Sequence, residues 1–168
     1  MPTPEDRLLT KPRYKPCVNC LVVESGLKQS FEIFKDAVEH GIPGLWLTNQ
    51  DPKKVEEKFG LHRTAILSLT TELFPGEATL PPNGLDRATD VVANYLSRTS
   101  RAMVILEGIS KIIEANGLDK TLEFIKKLAA LCSKNESGLV VAANKDELAK
   151  QQLDAIAEGL KDWRVFGA

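Results

Sequence analysis

The sequence predicts an α/β fold, a three-layer sandwich with a mostly parallel central sheet, and three observations carry that prediction. Short apolar runs alternate with stretches of helical periodicity at intervals of roughly 25 to 30 residues, the spacing of βαβ units. The runs are too short for helices and mostly apolar at successive positions, as strands covered on both faces are. The 168 residues, 43% apolar and 27% charged, suffice for one full core and not for two.

Residues 17–23 (CVNCLVV) read as the first strand. The loop Glu24-Ser25-Gly26 leads into a helix over 28–40, where Leu27, Phe31, Phe34 and Val38 share a stripe and Lys28, Glu32, Lys35 and Glu39 turn outward. Gly41 ends it. A second strand, 45–48, follows the Pro43-Gly44 turn. Asp51 then supplies an N-cap and Pro52 suits the first turn of a short helix that stops at Gly60. Residues 65–70 form a third strand, and Pro75, Gly76, Pro81, Pro82 and Gly84 mark a long loop. Leu85, Ala88, Val92 and Tyr95 make an amphipathic helix ending near Ser97.

Residues 102–108 (AMVILEG) come next, a continuous apolar run between Arg101 and Gly108 that reads as the buried central strand. It ends in Glu107, where open α/β sheets place their ligand sites. A helix over 109–115 closes at Asn116-Gly117, and Asp119 caps a longer one carrying Leu122, Ile125, Ala129 and Cys132. Residues 138–143 (GLVVAA) form another buried strand, ahead of Asn144. The last helix carries Leu148, Leu153, Ile156 and Leu160, and residues 163–166 add a short edge strand.

Residues 1–16 stand apart as a proline-rich arm that has too few apolar anchors to pack alone, so the single domain is 17–168. The arm is either loose or a strap across the domain, or it docks onto a neighbouring subunit. Twenty-two Lys and Arg against 23 Asp and Glu leave a net charge of -1, which gives no overall pull toward nucleic acid or anionic lipid. No apolar stretch is long enough for membrane insertion, and the amino terminus is not a signal peptide. Cys17, Cys20 and Cys132 are too few for a disulfide framework and fit a reducing, cytoplasmic setting.

The phrase GIPGLWLT at 41–48, followed by Asp51-Pro52, resembles the archaeal family known as domain of unknown function 835. So does VILEGI at 104–109 followed by Asn116-Gly117. That family is in turn similar to RecA and KaiC-type P-loop ATPases, which implies a RecA-like topology with strand 138–143 lying between strands 18–23 and 102–107. In those ATPases a glycine-rich loop ending in Gly-Lys-Ser/Thr precedes a helix and a phrase resembling GxPGLYVT. The matching stretch here is Glu24-Ser25-Gly26-Leu27-Lys28-Gln29-Ser30, cut short, with one glycine and with Gln29 separating Lys28 from Ser30. A working phosphate loop needs several N–H groups pointing into one concavity. By the same resemblance Glu107 matches the Walker B aspartate that helps to hold magnesium, and Asn144 matches a polar sensor position.

The implied topology puts Glu24, Ser25, Glu107 and Asn144 around one cleft. With Gly26, Lys28 and Ser30 they form the candidate ligand-binding set. Each also has a plainer reading. Glu107 can cap the next helix or pair with a nearby Lys or Arg, and Lys28 and Ser30 can be the exposed first turn of a helix. Cys17 and Cys20 are half of a zinc site without a second half, and they precede a strand instead of a helix, where a redox pair would stand. His40 and His62 read as surface residues, and Trp46 and Trp163 as packing residues. No nucleophile elbow or dinucleotide fingerprint is present.

The expected function is a non-catalytic regulatory or protein-interaction module derived from a nucleotide-binding fold. No catalytic residue, metal or cofactor is assigned, and the partner is another protein or a second copy. The alternative is an active nucleotide-binding protein or ATPase with an atypical phosphate loop, using ATP and magnesium, with Glu107 catalytic.

Overall fold

The computed structural model describes residues 19–61, 64–99 and 101–167. Its strands are β1 (Asn19–Glu24), β2 (Gly44–Thr48), β3 (Thr64–Leu69), β4 (Thr79–Leu80), β5 (Met103–Leu106), β6 (Gly138–Asn144) and β7 (Arg164–Phe166). The helices are α1 (Gln29–Glu39), α2 (Pro52–Phe59), α3 (Leu85–Arg98), α4 (Ile109–Asn116), α5 (Leu118–Lys134) and α6 (Lys150–Gly159). All strand pairs are parallel, in the order β4-β3-β2-β5-β6-β1-β7, so β5 is the central strand. β6 lies between β1 and β5, as the RecA-like topology requires.

Alternate side chains of each strand feed two separate cores, since a strand's neighbours point to opposite faces. Met103 and Ile105 join Trp46, Val22 and Val140 under α1 and α2. Val104 and Leu106 join Leu21, Leu45, Leu47, Leu139 and Val141 under α3 to α6. Helices therefore cover both faces, and the molecule is the three-layer α/β sandwich expected.

The first helix is packed differently from its sequence pattern. Ser30, Ile33, Phe34 and Ala37 are its buried residues, whereas Leu27, Phe31 and Val38 are only partly covered. Phe34, common to both faces, packs over Gly44, where a Cβ would lie 2.4 Å from its ring. Asp51 caps α2 as expected, accepting from Lys53 N at 3.0 Å. Asp119 does not cap α5, which starts at Leu118 directly after Gly117 and has no side-chain cap. Leu148 precedes α6 instead of lying on it, although it is buried in the core. β4, inside the proline-rich loop, has no periodic signal; it exists because Thr79 and Leu80 lie beside Ser68 and Leu69. Among the described residues no helix is long and apolar enough to cross a membrane.

The parallel sheet brings the carboxyl ends of β1, β2, β5 and β6 to one edge. Glu24 pairs with Asn144, and Glu107 directly follows β5 beside Thr48. The arm, Cys17 and His62 lie outside the described residues. Cys20 is buried in β1 and His40 is exposed at the end of α1.

Candidate functional site

The start of α1 poses a local problem. Its N-cap position is Lys28, whose ammonium cannot accept hydrogen bonds, so the first N–H groups need an acceptor from elsewhere. Glu24 supplies it from the end of β1. Lys28 N and Ser30 N donate to Glu24 Oε2 at 3.1 and 3.0 Å, and Gln29 N donates to Oε1 at 2.8 Å. Ser30 Oγ also donates to Oε2, at 2.7 Å. A carboxylate here is favoured twice over, because these bonds are charge-assisted and because the helix dipole presents positive potential. Ser30 is fully buried.

The neighbouring turn is tied to the same loop. Ser25 Oγ donates to Asp146 Oδ1 at 3.2 Å, Lys145 N donates to Glu24 O at 3.0 Å, and Asp146 N donates to Asn144 Oδ1 at 2.9 Å. The loop 24–28 is thus held from both sides, by α1 and by the residues following β6.

A second buried carboxyl group lies across the sheet edge. Glu107 is only 6% exposed. Thr48 Oγ1 donates to its Oε2, and Trp46 Nε1 and Gln50 Nε2 approach the same oxygen at 3.4 and 3.5 Å. Gln50 is itself fixed, since Ser68 Oγ donates to its carbonyl at 2.7 Å and its N–H donates to Thr48 Oγ1 at 3.1 Å. Glu107 does not cap α4, which follows Gly108 without a side-chain cap, and it forms no ion pair among the described residues. Both plainer readings of this residue therefore give way to a buried polar network.

Burial pushes the Glu107 carboxyl above the usual range, against the opposing hydrogen bonds from Thr48 and Trp46. Ionisation is then harder in the folded state than in the unfolded chain, so stability falls as pH rises from the ordinary glutamate value through the raised one. Glu107→Gln keeps an acceptor for Thr48 and Trp46 and carries no charge. Its melting temperature should exceed the parent's at alkaline pH, with the gain shrinking as pH falls toward about 4. Thermal melts over a pH series check this; an offset constant with pH would contradict it.

Beside Glu107 lies a cleft of about 430 Å³. Gly26, Lys28, Glu107 and Asn144 of the expected set line it, whereas Glu24 and Ser30 turn into each other and Ser25 turns to Asp146. Asn49, Gln50, Lys58, Phe59 and Glu147 also line it, and the sequence did not single them out. Thr48, which ends buried β2, and Gln50 just beyond it carried one usable signal, being polar residues at the end of an apolar run. Lys58 and Phe59 come from α2, and nothing in their own stretch shows that α2 reaches this edge. Gly108 is required here: its φ is +78°, and a Cβ would lie 2.7 Å from Asn49 Oδ1. Among the described residues no group of His, Cys, Asp or Glu could hold a metal ion.

Comparison with solved structures places this architecture. A KaiC-like protein from the hyperthermophilic archaeon Pyrococcus horikoshii OT3 superposes with a TM-score of 0.57 at 16% identity, over 85% of this chain and 70% of that one. The flagellar accessory protein FlaH of Methanocaldococcus jannaschii superposes with a TM-score of 0.56 at 15% identity, over 93% of this chain and 74% of that one. At these identities the likeness is one of fold, which is RecA-like. No curated protein matches the sequence. The sequence profile described as "Protein of unknown function (DUF835)" matches residues 23–160, most of the chain, and the protein belongs to that family.

Proposed function

We propose that this chain is a non-catalytic regulatory or protein-interaction module, built on a RecA/KaiC-like scaffold whose phosphate loop has degenerated. The observation that supports this reading is the Glu24 carboxylate on the N–H groups of Lys28, Gln29 and Ser30 at the start of α1 and on Ser30 Oγ. Those are the donors a phosphate would need at a helix amino terminus. A triphosphate arriving there would meet an anion already in place and would have to expel it against four hydrogen bonds. The groups present therefore do not fit ATP with magnesium, and no catalytic step is assigned to Glu107. The partner is a protein, either a different chain or a second copy, and the setting is the cytoplasm.

Calorimetric titration with ATP and magnesium is expected to give no saturable heat. Micromolar affinity, with turnover lost in Glu107→Gln, would overturn the reading. The second reading, a nucleotide-binding protein with an atypical loop, is favoured by one observation: Lys28, Glu107 and Asn144 line the same cleft. It predicts that same saturable titration.

A further inference from the structure

The cleft that nucleotide does not fit has chemistry of its own. All three donors to Glu107 converge on Oε2, and Oε1 has no hydrogen-bond partner among the described residues. A side chain buried this deeply and lining a cavity, with one oxygen unpartnered, is suited to meeting a ligand. Lys28 and Lys58 line the same cavity without an ion pair to any described residue, and the Lys58 ammonium is 5.4 Å from the centre of the Phe59 ring. Glu147 completes the lining with a second carboxyl group.

We propose that this cleft binds a small zwitterion of the α-amino acid class, its ammonium on Glu107 Oε1 and its carboxylate toward Lys28 and Lys58. Two lysines and two carboxyl groups line this one cavity, so a ligand that carries both an ammonium and a carboxylate finds a partner for each. A simple anion would leave Glu107 Oε1 without a donor, and a simple cation would leave the two lysines unanswered. Leu27 and Phe59 provide an apolar wall for a ligand side chain, and about 430 Å³ is ample for one amino acid. This inference rests on the reading that nucleotide does not occupy the site, and it names what a regulatory module of this kind would sense.

Trp46 is a built-in reporter, because its Nε1 donates to the same carboxyl group. Trp163 packs against the core on the other face, so Trp163→Phe leaves Trp46 as the single tryptophan. In that background the common L-amino acids are titrated singly to about 10 mM, a ceiling set by millimolar affinity. Acetate, methylamine and ATP with magnesium form separate arms. The expected result is a saturable change in Trp46 emission and in its Nε1 proton shift with at least one amino acid. The same probe should bind at least about tenfold more weakly in both Glu107→Gln and the surface variant Lys58→Ala, on the scale of one lost charged contact. No saturation with any amino acid, equal response to acetate or methylamine alone, or affinity unchanged in either variant would overturn the proposal. Saturation by ATP with magnesium alone would instead overturn the functional reading on which it rests.

Discussion

Glu24→Ala is expected to lower the melting temperature by about 4–16 °C and to make the protein respond to inorganic phosphate. The substitution removes the acceptor for three N–H groups and leaves the hydroxyl of the fully buried Ser30 without its partner. Losing a helix cap costs about 1 kcal/mol, and an unsatisfied buried hydroxyl costs about 1–3 kcal/mol more. At about 2–4 °C per kcal/mol for a chain of this size, the sum gives the stated range. The emptied helix start then offers its N–H groups to any small anion. Thermal melts with and without phosphate, at matched ionic strength, check both parts. The variant should regain stability as phosphate is added while the parent does not. An identical phosphate response in the two would mean that the Glu24 carboxylate does not occupy an anion site.

Trp46→Ala should cost about 3–5 kcal/mol, the usual range for deleting a buried aromatic side chain, or about 6–20 °C in melting temperature. Trp46 is completely buried in β2. Its ring meets Phe34 edge-on with centroids 5.2 Å apart, and it lies 5.0 Å from Phe59 and 6.2 Å from Phe31. This aromatic group packs α1 and α2 onto β2. Trp46→Phe keeps much of the packing and removes the Nε1 donor to Glu107, so its loss should be about 1 kcal/mol, the scale of a single hydrogen bond. Chemical denaturation of the two variants separates the effects. A phenylalanine variant as unstable as the alanine one would place the stabilisation in the Glu107 bond and not in the ring.

The candidate site was legible in the sequence to very different degrees. Glu107 could be found from its own run, because a charge ending a continuous apolar strand has few places to go. Glu24 was found as a loop residue beside a shortened glycine loop, but its task was not visible. It is the last residue of β1, and its carboxylate reaches residues four to six positions ahead, an arrangement set by the turn and not by any local spacing rule. Ser30 read as either a ligand residue or an exposed first turn and is neither exposed nor turned to the cleft. Lys58, Phe59 and Glu147 belong to elements whose own patterns say only which face is buried, so their convergence depends on how the layers meet.

By itself the sequence determined the class of fold, the order of its helices and of every strand but β4, and the central position of residues 102–107. Those features follow from apolar periodicity, glycine and proline placement and strand length, all of them local. The tertiary structure decided which acceptor answers the donors at the start of α1 and which oxygen of Glu107 is left unpartnered. Hydrogen bonds of buried groups must be completed by whatever lies within about 3 Å, and that neighbour is set by the packing of strands far apart in the chain. The chemistry of this sheet edge is therefore decided by Glu24 turning into its own helix, an outcome the residues at 24–30 allow but do not specify.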